Sequence, residues 1–268
     1  SARARARWIA LPQPWPPLGD GRTCLTLSED DLPLVLRGDW VLQWHPRSSE
    51  WLGVAYNRVP DSSCSLLRSQ LHVVSVSYSG TVSLLQHDTW VQGRHGSHLE
   101  SVHHAVGLDF QAAAVLIGTA RNSVSSMHGG MGQCARHDLT TGHQVSLPSL
   151  WAPQSATDFQ LIALEKCVYA CGGGGYHGDS ETQPTLGRLD LASPVAWQPL
   201  ASPPCSRLYG NALAPFDENI FVSFGGKLFP GAGECSTALA YDSRADRWWE
   251  EKRWELNEEV VNHAVVRF

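Results

Sequence analysis

One phrase recurs along this chain: an apolar strand, a glycine pair that stops it, an aromatic or leucine followed by aspartate, and then a tryptophan six or seven residues on. Near the C-terminus it reads Ile220-Phe221-Val222-Ser223-Phe224-Gly225-Gly226, then Tyr241-Asp242, then Trp248. Earlier it reads Cys167-Val168-Tyr169-Ala170-Cys171-Gly172-Gly173, then Leu189-Asp190, then Trp197. A repeat of this length is too large for a hairpin and too rich in strands for a helical solenoid. It predicts an all-β propeller, whose small sheets cover one another's faces.

Composition agrees with one compact unit. The chain has 268 residues, a size that all-β propellers reach because each blade adds its own slice of core. Its 11 tryptophans are spaced as wedges between blades rather than as a scattered surface population. A formal charge of −6 argues against a nucleic-acid footprint, which needs clustered basic surface, and suits a basic or neutral partner. No apolar run is long enough to cross a bilayer as a helix, and no signal-peptide core follows the first residues, so no membrane partner is expected.

The 7 cysteines are an odd number, and Cys24, Cys167 and Cys171 fall in expected strands. They read as small buried apolar residues of a reducing, cytoplasmic setting rather than as a disulfide framework. No cysteine or histidine spacing matches a zinc site, and no cofactor is expected. Residues 1–7 alternate Ala or Ser with Arg and read as a linker or the end of a preceding segment. The alternative, a transit-peptide remnant or a basic docking arm, would rest on only three arginines. The propeller is expected over residues 8–268.

Each unit parses into four strands, inner to outer. The first takes 22–27, 32–36, 40–44 and 51–56, and the string from Trp44 to Trp51 has the same spacing as that from Tyr241 to Trp248. The second is compressed into 63–68, 71–77, 82–86 and 90–92, with Tyr78-Ser79-Gly80 as a turn. The third is read at 104–106, 113–119, 134–138 and 144–147, the fourth at 159–164, 168–171, 185–191 and 197–200, and the fifth at 210–214, 220–224, 238–242 and 248–252. Alternation is imperfect because inner strands are buried on both faces. At the ends, 262–266 repeats the His104-Ala105-Val106 motif and looks like an innermost strand, whereas 8–11 looks like an outermost one. Joined, they predict a sixth blade that is incomplete or closed across the termini.

The glycine pair, the aromatic-Asp and the tryptophan together resemble the kelch repeat. The likeness is strongest in the fourth and fifth units and weakest in the second. It implies that Gly172-Gly173 and Gly225-Gly226 end second strands where backbones crowd. It also implies that Trp44, Trp51, Leu189, Trp197, Tyr241 and Trp248 pack between blades. Such domains serve as substrate-receptor parts of BTB-kelch and F-box-kelch ubiquitin ligase adaptors and as scaffolds. The resemblance therefore implies a protein or peptide ligand on the loop-bearing face, and a cullin-type ligase reached through a segment outside this chain. Kelch-like propellers also include sugar epimerases and copper-radical oxidases, so an enzyme acting on a sugar or small metabolite in the channel is the alternative.

The connections after the second strands place the ligand. Units one and two have short turns there, whereas 120–133, 174–187 and 227–237 are long and would build an asymmetric wall beside the channel. Candidate binding residues in them are Arg121, Asn122, Met127 and His128, then Tyr176, His177 and Asp179, then Lys227, Leu228 and Phe229. Arg22 and Arg207 precede inner strands, where BTB-kelch receptors place a pocket-lining arginine. Each could grip a carboxylate bidentately or form a structural ion pair between blades.

Catalytic readings are weaker. His95, His98, His103 and His104 are close in sequence, but His103 and His104 should point to opposite faces of one strand, against convergence on a metal. The run Gly172 to Gly175 lacks the Gly-Lys-Ser/Thr ending of a phosphate loop and a following helix. Asp179 and Glu181 share a loop, where a carboxylate pair reads as solvated charge before it reads as sugar chemistry. No catalytic and no metal-binding residue is assigned.

Overall fold

The computed structural model describes residues 24–28, 30, 32–37, 40–56, 64–70, 72–86, 89–92, 99–120, 132–150, 159–172, 186–204, 211–226 and 237–251. Blade 1 is β1 (Cys24–Leu27), β2 (Pro33–Arg37), β3 (Trp40–His45) and β4 (Glu50–Tyr56). Blade 2 is β5 (Cys64–Ser69), β6 (His72–Ser77), β7 (Val82–Gln86) and β8 (Thr89–Gln92). Blade 3 is β9 (Leu99–Leu108), β10 (Ala113–Ala120), β11 (Gly132–Asp138) and β12 (Gln144–Leu150). Blade 4 is β13 (Phe159–Leu164), β14 (Cys167–Gly172), β15 (Leu186–Asp190) and β16 (Gln198–Pro199). Blade 5 is β17 (Ala212–Pro215), β18 (Ile220–Phe224), β19 (Ala238–Asp242) and β20 (Arg247–Glu250).

Each blade is a four-stranded antiparallel meander in sequence order, and the five sheets are arranged as a β-propeller. Innermost strands pack in succession, β1 on β5, β5 on β9, β9 on β13 and β13 on β17. No helix among the described residues is long and apolar enough to cross a membrane. Residues 1–7 and the two segments of the expected sixth blade, 8–11 and 262–266, lie outside the described residues.

Many strand ends differ by one to three residues from the sequence reading, and two strands differ for a visible reason. β9 starts at Leu99, five residues before His104, because bulges at Ile117/Gly118 and Thr119/Ala120 let the end of β10 keep pairing with a polar stretch. β16 keeps only Gln198 and Pro199, since proline offers no N–H to the ladder, and Trp197 stands just before it.

The core lies in the seams. Between blades 1 and 2, Leu34 and Val41 meet Leu66, Val73 and Trp90. Between blades 2 and 3, Leu67, Val74 and Val76 meet Val102, Ala114 and Leu116. Between blades 3 and 4, Val115, Ile117 and Leu147 meet Phe159, Val168, Leu189 and Trp197. Between blades 4 and 5, Ile162, Tyr169 and Leu186 meet Phe221, Tyr241 and Trp248. Leu189, Trp197, Tyr241 and Trp248 therefore pack between blades as the wedge reading expected, each turned toward the blade before its own, while Val41, Leu147 and Leu186 on the same kinds of strand alternate toward the blade after. Indole N–H groups fix these wedges: Trp197 Nε1 donates to Pro148 O at 3.0 Å and Trp248 Nε1 to Ala201 O at 2.7 Å. Trp44 and Trp51 pair directly across β3 and β4, with ring centroids 5.6 Å apart.

The aspartate of the repeat is a turn cap. Asp138 Oδ1 accepts the N–H groups of Thr140 and Thr141, Asp242 Oδ1 those of Arg244 and Ala245, and Asp190 Oδ1 that of Ala192. Four residues beyond the start of this turn stands a left-handed residue: Ser49 (φ 55), Gly142 (φ 71) and Asp246 (φ 47) in blades 1, 3 and 5. That fixed turn sets the interval from aspartate to wedge. Gly172 (φ 98), Gly225 (φ 59) and Gly226 (φ 99) are left-handed too, which accounts for glycine where second strands stop.

Candidate functional site

Strand direction alternates within each blade, so the ends of β2, β6, β10, β14 and β18 and the starts of the innermost strands share one face of the propeller. After β2 and β6 the connections are short, with β3 beginning at Trp40 and β7 at Val82. After β10, β14 and β18 the next strands begin only at Gly132, Leu186 and Ala238. The expected asymmetry is therefore present in the strand bounds of blades 3, 4 and 5. Arg121, Asn122, Met127, His128, Tyr176, His177, Asp179, Lys227, Leu228 and Phe229, with Arg22 and Arg207, lie outside the described residues, though the strands that flank them end on this face.

Blade 2 contributes a hydrogen-bonded turn to the described part of this face. The turn Tyr78-Ser79-Gly80 is closed by Gly80 N–H to Ser77 O at 3.0 Å and by a row of hydroxyls, Ser77 to Ser79 at 2.9 Å and Ser79 to Thr81 at 3.2 Å. Ser77 Oγ also accepts Thr81 N–H at 3.0 Å. Tyr78 O receives Val102 N–H at 2.7 Å, which ties the turn to β9 of the next blade. The Tyr78 side chain is 46% exposed and meets the His103 ring edge-on at 5.3 Å, while His103 Nε2 lies 3.1 Å from Ser101 Oγ. The sequence reading took Tyr78 only as a turn residue. An aromatic in a turn whose neighbours are all hydroxyls or glycine is the signal that could have marked it.

His104 turns the other way and stacks on Phe159 of blade 4, with centroids 4.0 Å apart. The two adjacent histidines thus serve different seams. Among the described residues no group of three or more His, Cys, Asp or Glu side chains could hold a metal ion. His95 and His98 fall outside those residues.

Titratable groups in the seams are tuned toward neutrality. Burial pushes the Cys134 thiol up to about 11, and burial likewise raises Cys167, so neither is poised as a thiolate nucleophile. Cys134, Cys167 and Cys171 are free thiols. Tyr241 is raised by burial and by its hydrogen bond to Asp246 Oδ1 at 2.7 Å, and the same oxygen accepts Ala201 N–H at 2.8 Å. This cluster stitches blade 5 to blade 4.

No model of a known protein family matches the sequence, and no curated protein matches it. What the chain has is the β-propeller itself, a fold that commonly serves as a binding scaffold.

Proposed function

We propose that this chain is a kelch-type propeller of six blades that recognises a protein or peptide, as the substrate-recognition part of a ubiquitin ligase adaptor in a reducing compartment, without catalysis of its own. The observation that carries this reading is the uneven length of the connections on one face. Three consecutive blades have long connections after their second strands, and the other two have short ones. Long connections beside short ones would frame a concave surface, and the short connection of blade 2 holds a hydrogen-bonded turn with a half-exposed tyrosine. Free thiols inside strands suit the reducing setting.

The test is affinity capture from cell lysate with the parent chain beside a variant carrying Arg121→Ala, Tyr176→Ala and Phe229→Ala, with far-UV circular dichroism to verify that both fold. Proteins held by the parent and lost by the folded variant support recognition through this wall. An identical capture set from both sinks the assignment of the wall. An empty set, followed by binding of a sugar to the parent, would favour the channel enzyme.

A further inference from the structure

The turn between third and fourth strands is built alike in blades 1, 3 and 5. The residue at the wedge position comes six residues after the start of the turn, Trp51 after His45, Gln144 after Asp138 and Trp248 after Asp242, and each interval holds a left-handed residue. Blade 4 departs from this pattern. Trp197 comes seven residues after Asp190, no residue between them is left-handed, and β16 pairs with β15 only through Gln198 and Pro199. Residues Ala192 to Ala196 are all exposed, and Val195, at 82%, is the most exposed large apolar side chain among the described residues. The turn is anchored at its start by Leu191 N–H to Lys166 O and Ala192 N–H to Asp190 Oδ1, both at 2.8 Å. Beyond that, Val195 N–H reaches back across Pro194 to Ser193 O at 2.9 Å.

The dipeptide Ser-Pro occurs twice in the sequence, at Ser193-Pro194 and Ser202-Pro203, and the fold treats the two differently. Both residues of the first pair are exposed. In the second the serine is exposed but Pro203 is buried, and the residue before the pair is clamped on both sides. Ala201 N–H donates to Asp246 Oδ1 at 2.8 Å, and Ala201 O accepts Trp248 Nε1–H at 2.7 Å. An enzyme that modifies a serine takes several consecutive residues into its cleft, as a protease does at an exposed loop tip. One that selects a following proline must also reach the ring, which in turn biases the serine toward the extended backbone such a cleft holds. Only the turn of blade 4 offers both residues.

We propose that Ser193 is the phosphoryl acceptor of a proline-directed serine/threonine kinase, and that the buried Pro203 excludes Ser202 from the same reaction. Ser193 Oγ forms a bond to the γ-phosphorus of a nucleoside triphosphate, and the bond from that phosphorus to the β–γ bridging oxygen breaks. The nucleoside diphosphate leaves, and the hydroxyl proton passes to the kinase's catalytic carboxylate. The product carries about −1.5 to −2 charge at neutral pH. It stands at the edge of blade 4 where the fourth strand is shortest. Turns between third and fourth strands lie on the face opposite the long connections, so a kinase reaches Ser193 without crossing them. The assignment goes beyond the recognition reading and does not depend on it.

The test incubates the full chain with magnesium ATP and, in separate reactions, a cyclin-dependent kinase and a mitogen-activated kinase, each first shown to be active on a Ser-Pro peptide. Mass spectrometry then locates the phosphate. Either kinase should modify Ser193, with incorporation falling about tenfold or more in Ser193→Ala and in Pro194→Ala, and Ser202→Ala should match the parent. Incorporation by neither kinase overturns the proposal. So does phosphate at Ser202 at the rate found for Ser193, or incorporation that survives Ser193→Ala. Far-UV circular dichroism checks that the variants fold; should Pro194→Ala disturb the turn, Ser193→Ala, which removes only an exposed hydroxyl, carries the same prediction.

Discussion

His137 and Gln144 stand opposite each other in blade 3, where Tyr241 and Trp248 stand in blade 5. The apolar cluster of the seam with blade 2 is aliphatic, and both residues are buried, at 3% and 8% exposure. Gln144 Nε2 lies 3.2 Å from His137 Nδ1. An amide nitrogen only donates, so Nδ1 must accept and the ring must be neutral. Burial lowers the His137 pKa, and the Asp138 charge only partly opposes this. The folded value therefore lies below the unfolded 6.5, and between the two the unfolded chain binds more protons. Stability is full above that pH and falls as pH drops toward the folded value. Urea midpoints measured from pH 7.5 to 5 should decline, and His137→Gln should flatten that decline; an equal slope in both proteins would refute the assignment. The sequence displays the phrase that Tyr241 and Trp248 complete, but it cannot show that a histidine and a glutamine replace them. That equivalence is one of register, and register appears only when strands pair.

At the scale of the element, turns and close approaches set the repeat. Gly107 on β9 passes so near the neighbouring blade that a Cβ there would lie 1.7 Å from Arg68 O, and at Gly118 it would lie 1.7 Å from Ser101 O. Backbone cannot yield as a side-chain tip can. Gly107→Ala should therefore cost about 3 kcal/mol in a denaturant titration, as overpacked cores do; a loss below about 0.5 kcal/mol would mean that β5 and β9 can part freely. Nearly every strand was legible from apolar runs between turn residues, and β7, β13, β18 and β19 match to the residue. β9 was read short because Glu100, Ser101 and His103 are polar, and only pairing beyond the bulge makes them strand. The turn-capping role of Asp138, Asp190 and Asp242 was equally hidden, since spacing shows a recurrence and not its hydrogen bonds.

Across the whole molecule, each blade hides one face against its neighbour, and no sheet can lose its partner without exposing a core. Ser69 illustrates the coupling. Fully buried at the end of β5, its hydroxyl lies 2.8 Å from Ala113 O and accepts Ala113 N–H at 3.1 Å in the next blade. Ser69→Ala removes these bonds, though Ala113 N–H keeps its bond to Gln111 O at 2.7 Å, and should cost about 1 kcal/mol. Tyr241→Phe, which removes the bond to Asp246 in a different seam, should cost about 1 kcal/mol. If the ring unfolds as a unit, both shift one transition, and the double variant shows their sum within about 0.5 kcal/mol. Tryptophan fluorescence and far-UV circular dichroism should trace the same curve. Two separated transitions would instead assign each seam its own stability.

The sequence alone determined the class of fold, the number and limits of nearly all strands in the five blades, and the positions of the wedges. Those features repeat, and repetition needs no knowledge of what lies nearby in space. It also marked, by length alone, the three connections in which Arg121, Tyr176 and Phe229 lie. Only the tertiary structure decided which face each wedge turns to, that the two adjacent histidines serve opposite seams, and that Tyr78 stands half-exposed against His103 on the loop-bearing face. These depend on contacts between residues far apart in the chain, such as Val102 with Tyr78 or Ser69 with Ala113, and no local pattern encodes the partner.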